Sequence, residues 1–271
     1  KNVKLGPRRF IRRLVLPTTH SHRVPWMRYS HLMSNTHPIL SAIAPLAKPD
    51  RIVDFSRYFQ NYEGGYGAGD VFIGVMVPDR RAVAKANAAN WSPEVIATGL
   101  SHQIHEVRHT ALFALLRRYG AERGNRQFWH DLLCDSFEGI NNWDLVDTCA
   151  HVCIGRHAFD TKNDSTLTAF LGSLNVWKRR AAVVSQLWFL KKGEYEQLIA
   201  YAPIAAENAP DILQKGIGWL LKILWQMDPA LAEAHLSVHF KSGLYSRLIV
   251  RIALEKASKE FRKDFMMLYA P

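Results

Sequence analysis

Cysteine is scarce: Cys134, Cys149 and Cys153 are the three in 271 residues, odd in number and without CxxC spacing. A disulfide framework and a thiolate zinc knuckle are therefore excluded, and the three read as small buried residues in a reducing compartment. Long apolar runs are missing too. Nothing approaches the ~20 residues of a membrane-spanning helix, and Leu14–Leu16 is far too short for a secretory core, so no membrane partner is expected. Acidic residues are absent from residues 1–49, which hold nine of the 35 Lys and Arg. The remainder carries 26 basic against 24 acidic residues, so the formal charge of +11 reduces to a local patch on the folded part. Residues 1–49 are predicted as a basic extension: a disordered tail, a polyanion-binding arm or a transit peptide. Residues 50–271 form the folded domain, since a chain of this length buries one sizeable core. A cytoplasmic monomer is expected, with organelle targeting by 1–49 as the alternative.

Past residue 50 the punctuation is helical, with apolar residues at three- and four-residue spacing between Gly, Pro, Asn and Asp stops. A first helix is expected at about 51–61, then the glycine-rich Glu63–Asp70 loop, then a helix with Pro78 in its first turn. The loop resembles a phosphate cradle but lacks a Walker lysine and reads as a connector. Helices that open on a polar turn and run apolar start near His105, Asn141, Asn175, Asp211 and Leu244, at intervals of 36, 34, 36 and 33 residues. Shorter partners fall at Gln127–Phe137, Thr166–Leu171, Tyr195–Ala202 and Ala230–Phe240. This register predicts an all-α fold: a right-handed α-solenoid of HEAT-like helix pairs, with one helix of each pair lining a concave DNA-binding face.

Two clusters carry chemistry. His105-Glu106-Val107-Arg108-His109 matches HExxH, whose histidines hold zinc and whose glutamate is a general base. Leu112 and Leu115 stand where a metzincin has Gly and His, and no further ligand is evident. The preferred reading makes Ile104, Val107, Ala111, Leu112 and Leu115 a packing stripe with Glu106 and His109 at or near solvent; no metal and no cofactor are implied. His235 and His239, also one turn apart, read as a partly exposed helix face. In Asn142-Trp143-Asp144-Leu145-Val146-Asp147, Asn142 suits a cap, and Trp143 and Asp147 lie four apart on one face. Two more helix starts follow: Asn175-Val176-Trp177-Lys178-Arg179-Arg180 and Gln214-Lys215-Gly216-Ile217-Gly218-Trp219.

The chain here resembles the AlkD-type alkylpurine DNA glycosylases, whose helices carry W-D-x-V-D, W-x-x-R-A-A and Q-K-A-I-G-W segments in this order and spacing. The likeness runs from about 50 to 256. The resemblance implies a catalytic aspartate at Asp147, lesion-facing tryptophans at Trp143 and Trp219, and a phosphate-contacting arginine at Arg180. It also implies a lesion engaged through backbone and sugar. Asn142 replaces a tryptophan that the family often has before the W-D pair.

A purine alkylated at N3 or N7 is cationic and leaves readily, so the enzyme's task lies on the sugar. As the C1'–N bond stretches, the deoxyribose gains oxocarbenium character that a carboxylate, here Asp147, stabilises while aligning water. The indoles of Trp143 and Trp219 attract a cationic base by about 0.5 to 2 kcal/mol. Arg180, Arg179, Lys178 and Lys215 supply phosphate contacts, joined by Lys191 and Lys192. Arg247 continues the register of Arg108, Arg180 and Lys215, within a run of seven basic residues over 241–263. The expected partner is alkylated double-stranded DNA. The rivals are a non-catalytic DNA-binding or scaffold HEAT protein and, from HExxH, a zinc peptidase.

Overall fold

The structure is a computed structural model that describes residues 37–269. Among them the chain is all helical but for one isolated bridge, Val71 to Ile104. The helices are α1 Pro38–Ile43, α2 Ile52–Tyr58, α3 Val77–Asn87, α4 Pro93–Leu100, α5 His105–Ala121, α6 Arg126–Asp135, α7 Trp143–Cys149, α8 Arg156–Thr161, α9 Ser165–Leu171, α10 Val176–Leu190, α11 Glu196–Ala206, α12 Asp211–Met227, α13 Pro229–Lys241, α14 Arg247–Ala253 and α15 Lys259–Tyr269. Local chemistry explains the starts. Ser92 accepts from Val95 N ahead of Pro93, Asn175 from Trp177 N, Asp228 from Leu231 N ahead of Pro229, and Ser246 from Ile249 N. Each cap satisfies amides that a helix cannot pair internally.

The 36-residue register becomes two rows. Helices α5, α7, α10, α12 and α14 pack successively on one another, while α4, α6, α9, α11 and α13 pack beside them as partners. Predicted starts at His105 and Asp211 coincide with helix starts, and those at Asn141, Asn175 and Leu244 precede theirs by three residues or fewer. The result is an α-solenoid whose apolar stripes bury between neighbours, with Leu145, Val146, Val183, Val184, Leu220 and Leu221 fully buried between rows. The first predicted helix is realised at Ile52–Tyr58, and Pro78 lies in the first turn of α3.

Packing begins upstream of residue 50. Ile39, Leu40 and Ile43 of α1 are buried, and α1 lies against α3, α4 and α5. His37 caps α1 through its own ring, accepting from Ile39 N. Residues 37–49 therefore belong to the packed unit and not to the basic extension; the arm or targeting role assigned to the segment before them lies outside the described residues.

The helix that begins at Trp143 does not run as one regular α-helix. After α7 it widens into a π-helical turn, Ala150–Gly155, before resuming as α8. There α10 comes very close: a Cβ on Gly155 would lie 2.3 Å from the Ser185 carbonyl oxygen. Ser185 Oγ also donates to the Ala150 carbonyl at 3.1 Å. Since backbone faces backbone, no side chain can move aside. Gly155→Ala is expected to cost about 2 kcal/mol, lowering the thermal midpoint by roughly 4 to 8 °C in a melting experiment.

Candidate active site on the first helix row

Asn142 opens α7. It is fully buried, its Oδ1 accepts from Trp143 N at 2.8 Å, and its Nδ2 donates to Asp70 at 3.3 Å. The departure from tryptophan at this position thus concerns anchoring, because the side chain points into the glycine-rich loop rather than the cleft. Trp143 and Asp147, one turn apart, line a cleft of about 760 Å³ together with Tyr58, Phe113, Thr148 and His151. Tyr58 meets the Trp143 ring edge-on at 5.5 Å, and Phe59 tilts against it at 5.8 Å. Both aromatics come from α2 and its end, out of reach of any local pattern.

Asp147 keeps 20% of its side-chain surface, and Arg180 only 6%. Arg180, at the opening of α10, grips it with two parallel bonds, Nε to Oδ1 at 2.9 Å and Nη2 to Oδ2 at 2.8 Å. Its remaining nitrogen, Nη1, donates to the Ile212 carbonyl of α12. Burial pushes the Asp147 carboxyl above its ordinary range, opposed by the Arg180 charge and hydrogen bonds and reinforced by Asp144. Arg180, expected on a phosphate, has a protein partner at every guanidinium nitrogen and holds the carboxylate instead.

The other expected cations divide. Arg179 donates to the carbonyls of Ala205 and Glu207, capping α11, so its charge is spent on that helix end. Lys178 pairs with Glu138 at 2.7 Å and lies over the Phe170 ring. Lys215 and Arg247 are exposed and have no ionic partner among the described residues. Trp219 is half-buried on α12, one turn beyond Gly216, whose Cβ position would lie 2.9 Å from Arg180 Nη1. It is not among the residues lining the Asp147 cleft. Arg81, Arg117 and Arg156, none of them singled out from sequence, also line the cleft.

The HExxH residues turn inward. Glu106 and His109, expected near solvent, are 0% and 2% exposed. The packing stripe itself stands, with Ile104, Val107, Ala111, Leu112 and Leu115 all at 0%. Glu106 accepts from the amides of Ile73 and Gly74 at 3.0 and 2.8 Å, pinning the segment after the glycine-rich loop. His105 lies between two carboxylates, Nδ1 to Asp70 at 3.1 Å and Nε2 to Asp144 at 2.9 Å. Burial alone would lower its pKa; the Asp144 charge and the two hydrogen bonds outweigh burial and raise it. With both ring nitrogens on acceptors, it is an imidazolium. Asp70 also takes Arg108 and Asn141, so the glycine-rich loop delivers a buried acid and not a phosphate cradle. His235 is likewise buried, its Nε2 2.7 Å from the Tyr245 hydroxyl.

His105, His109 and Asp144 place ligand-type atoms within 4.8 Å of one another. The chemistry of this donor set suits protons better than a metal ion. Arg80 Nη1 donates to His109 Nδ1 at 2.8 Å, His109 Nε2 faces Thr148 Oγ1 at 3.2 Å, and both nitrogens of His105 meet carboxylates. Each lone pair a cation would need is already engaged, beside a buried guanidinium. Burial, against the Asp144 charge, takes His109 down to about 3, while Asp144 falls to about 2 because His105, His109 and Arg80 outweigh its own burial. His102 and His235 are also lowered by burial, to about 4. Below about pH 6.5 the unfolded chain binds protons that folded His102, His109 and His235 refuse, so stability falls as pH drops toward 4. Asp144 adds its loss only below about 4, and His105 acts in the opposite sense, stabilising below 6.5. Thermal midpoints read from pH 8 to 4 are expected to decline below about 6.5, where the three lowered histidines outweigh His105, whose own contribution is lost only as pH rises above that value; an unchanged midpoint at pH 5 would contradict neutral burial of these histidines.

A profile of the family described as DNA alkylation repair enzyme matches residues 39–257, beginning inside α1. No curated protein matches the chain. Among solved structures, a predicted DNA alkylation repair enzyme from Enterococcus faecalis superposes with a TM-score of 0.60 at 20% identity, over 79% of this chain and 97% of that one. That likeness shows the same fold. With the profile spanning most of the chain, the protein belongs to the DNA alkylation repair enzyme family.

Proposed function

We propose that the protein is a monofunctional DNA glycosylase that hydrolyses the N-glycosidic bond of cationic N3- or N7-alkylated purines in duplex DNA. The observation that carries this reading is Asp147 itself: a carboxylate at the wall of an open cleft, beside an indole, with both oxygens fixed by one guanidinium. Such a group is preorganised to face the positive charge that develops on the deoxyribose, with no reorganisation at the moment of bond breaking. Trp143 and Tyr58 offer ring faces and edges to a cationic base. Lys215 and Arg247, exposed at the openings of α12 and α14, supply phosphate contacts, and Lys178 joins them once it leaves Glu138. Trp219 extends this surface along α12.

Purified protein is expected to release 3-methyladenine or 7-methylguanine from methylated duplex DNA, and Asp147→Asn to slow release at least about a hundredfold while duplex affinity stays within a few-fold. Circular dichroism guards against misfolding, since Arg180 loses its counter-charge. Undiminished release by Asp147→Asn would sink the assignment; duplex binding without any release would favour a non-catalytic DNA-binding solenoid. Lys215→Ala and Arg247→Ala are each expected to weaken duplex binding at every sequence tested and to shallow the log Kd against log salt slope by about 1, read by fluorescence anisotropy.

A further inference from the structure

Both Asp147 oxygens accept Arg180 N–H bonds, which hold the carboxylate in one orientation as a group facing the sugar's positive charge. Water that attacks C1' must still lose a proton. The face of α7 that carries Trp143 and Asp147 continues at the same four-residue spacing to His151, in the π-helical turn, and His151 lines the same cleft. Its Nδ1 is sealed from solvent without a hydrogen-bond partner of good geometry, and it faces the backbone carbonyl of Asp147 one turn back. A proton on Nδ1 leaves Nε2 as a bare acceptor, the nitrogen left to meet the cleft.

Resting on the glycosylase reading, we propose that His151 is the general base of the reaction, accepting through Nε2 the proton of the water that attacks the sugar beside Asp147. The step balances. The C1'–N bond breaks with its electron pair going to the alkylpurine, which departs neutral. Water oxygen bonds to C1', and one water proton passes to His151 and from there to solvent. The groups around the imidazole keep it neutral. Burial lowers its pKa first and the Lys191 charge at the end of α10 second, against the raising influence of the Asp147 carbonyl. Asp144 and Asp147 of α7, Arg156 of α8, His109, Arg117 and Tyr119 of α5, Arg81 of α3 and Tyr58 of α2 are the other charged or titratable groups lining the cleft. Against the carboxylates of Asp147, which Arg180 clamps, and Asp144 stand four cations, Lys191, Arg156, Arg117 and Arg81, which favour the unprotonated ring.

Single-turnover base release is measured from pH 5 to 8 on a duplex holding one 7-methylguanine, for wild type, His151→Gln and His151→Ala, with folding checked by thermal melting. Wild type is expected to slow toward pH 5, with its inflection below the ordinary histidine value. His151→Gln should be about a hundredfold slower at neutral pH and lose that inflection. Free imidazole should restore part of the rate of His151→Ala, which a packing role would not allow. His151→Gln matching wild type in rate and profile overturns the role of His151 and leaves the glycosylase reading intact. A wild type that releases no base overturns both.

Discussion

One guanidinium holds the centre of the molecule together. Arg180 starts on α10, grips Asp147 on α7 with two bonds and reaches the α12 backbone at Ile212, so three successive helices of the first row meet at one planar cation. A half-sealed pair of this geometry is costly to break, on the order of 3 to 5 kcal/mol when one partner is removed, because the other charge stays behind in a poorly hydrated place. The same arrangement fixes a carboxylate at the cleft wall to within a rotamer. On the proposed reading, folding and chemistry therefore draw on a single contact, and the stack cannot flex between α7 and α12 without moving Asp147.

Behind that contact stands a second, largely buried polar assembly. The imidazolium of His105 is balanced by Asp70 and Asp144, Arg108 shares Asp70, and neutral His109 is locked between Arg80 and Thr148. This assembly keeps Asp144 ionised three residues before Asp147, and that neighbouring negative charge is one reason the Asp147 carboxyl is raised. The HExxH pattern thus serves to tie α5 to the glycine-rich loop on one side and to α7 on the other. Its two histidines differ by what sits opposite each nitrogen: carboxylates for one, a guanidinium and a hydroxyl for the other.

What was legible in the sequence follows from locality. Helix starts at Asn142, Asn175 and Asp211 announce themselves through caps and apolar spacing within a few residues, and the recurrence near 36 residues gives the pairing of rows. Trp143 and Asp147 share a face because four residues make about one turn. The same step carried once more would have reached His151. What lay hidden depends on distant partners. Asp70 meets His105 and Asn142 from 35 and 72 residues away, and Tyr58 meets Trp143 only through the tertiary fold. Polarity misled at Glu106 and His109, since a charged or ring nitrogen side chain can sit at zero exposure once loop amides or an arginine satisfy it. Arg179 looked like a ligand for phosphate because nothing local foretells that α11 ends beside it.

The widened turn at Ala150–Gly155 has a bearing on how this family of stacks can vary. An extra residue in a turn acts as a phase shift: upstream of it the helix shows one side to the cleft, downstream it shows a different side to α10. Length changes in this segment are therefore not neutral trimming, as they are in a surface connector. Removing one residue would rotate α8 relative to α7 by roughly a quarter turn, and lineages related to this chain should conserve the spacing from Asp147 to Gly155 more strictly than the identities of the residues between them.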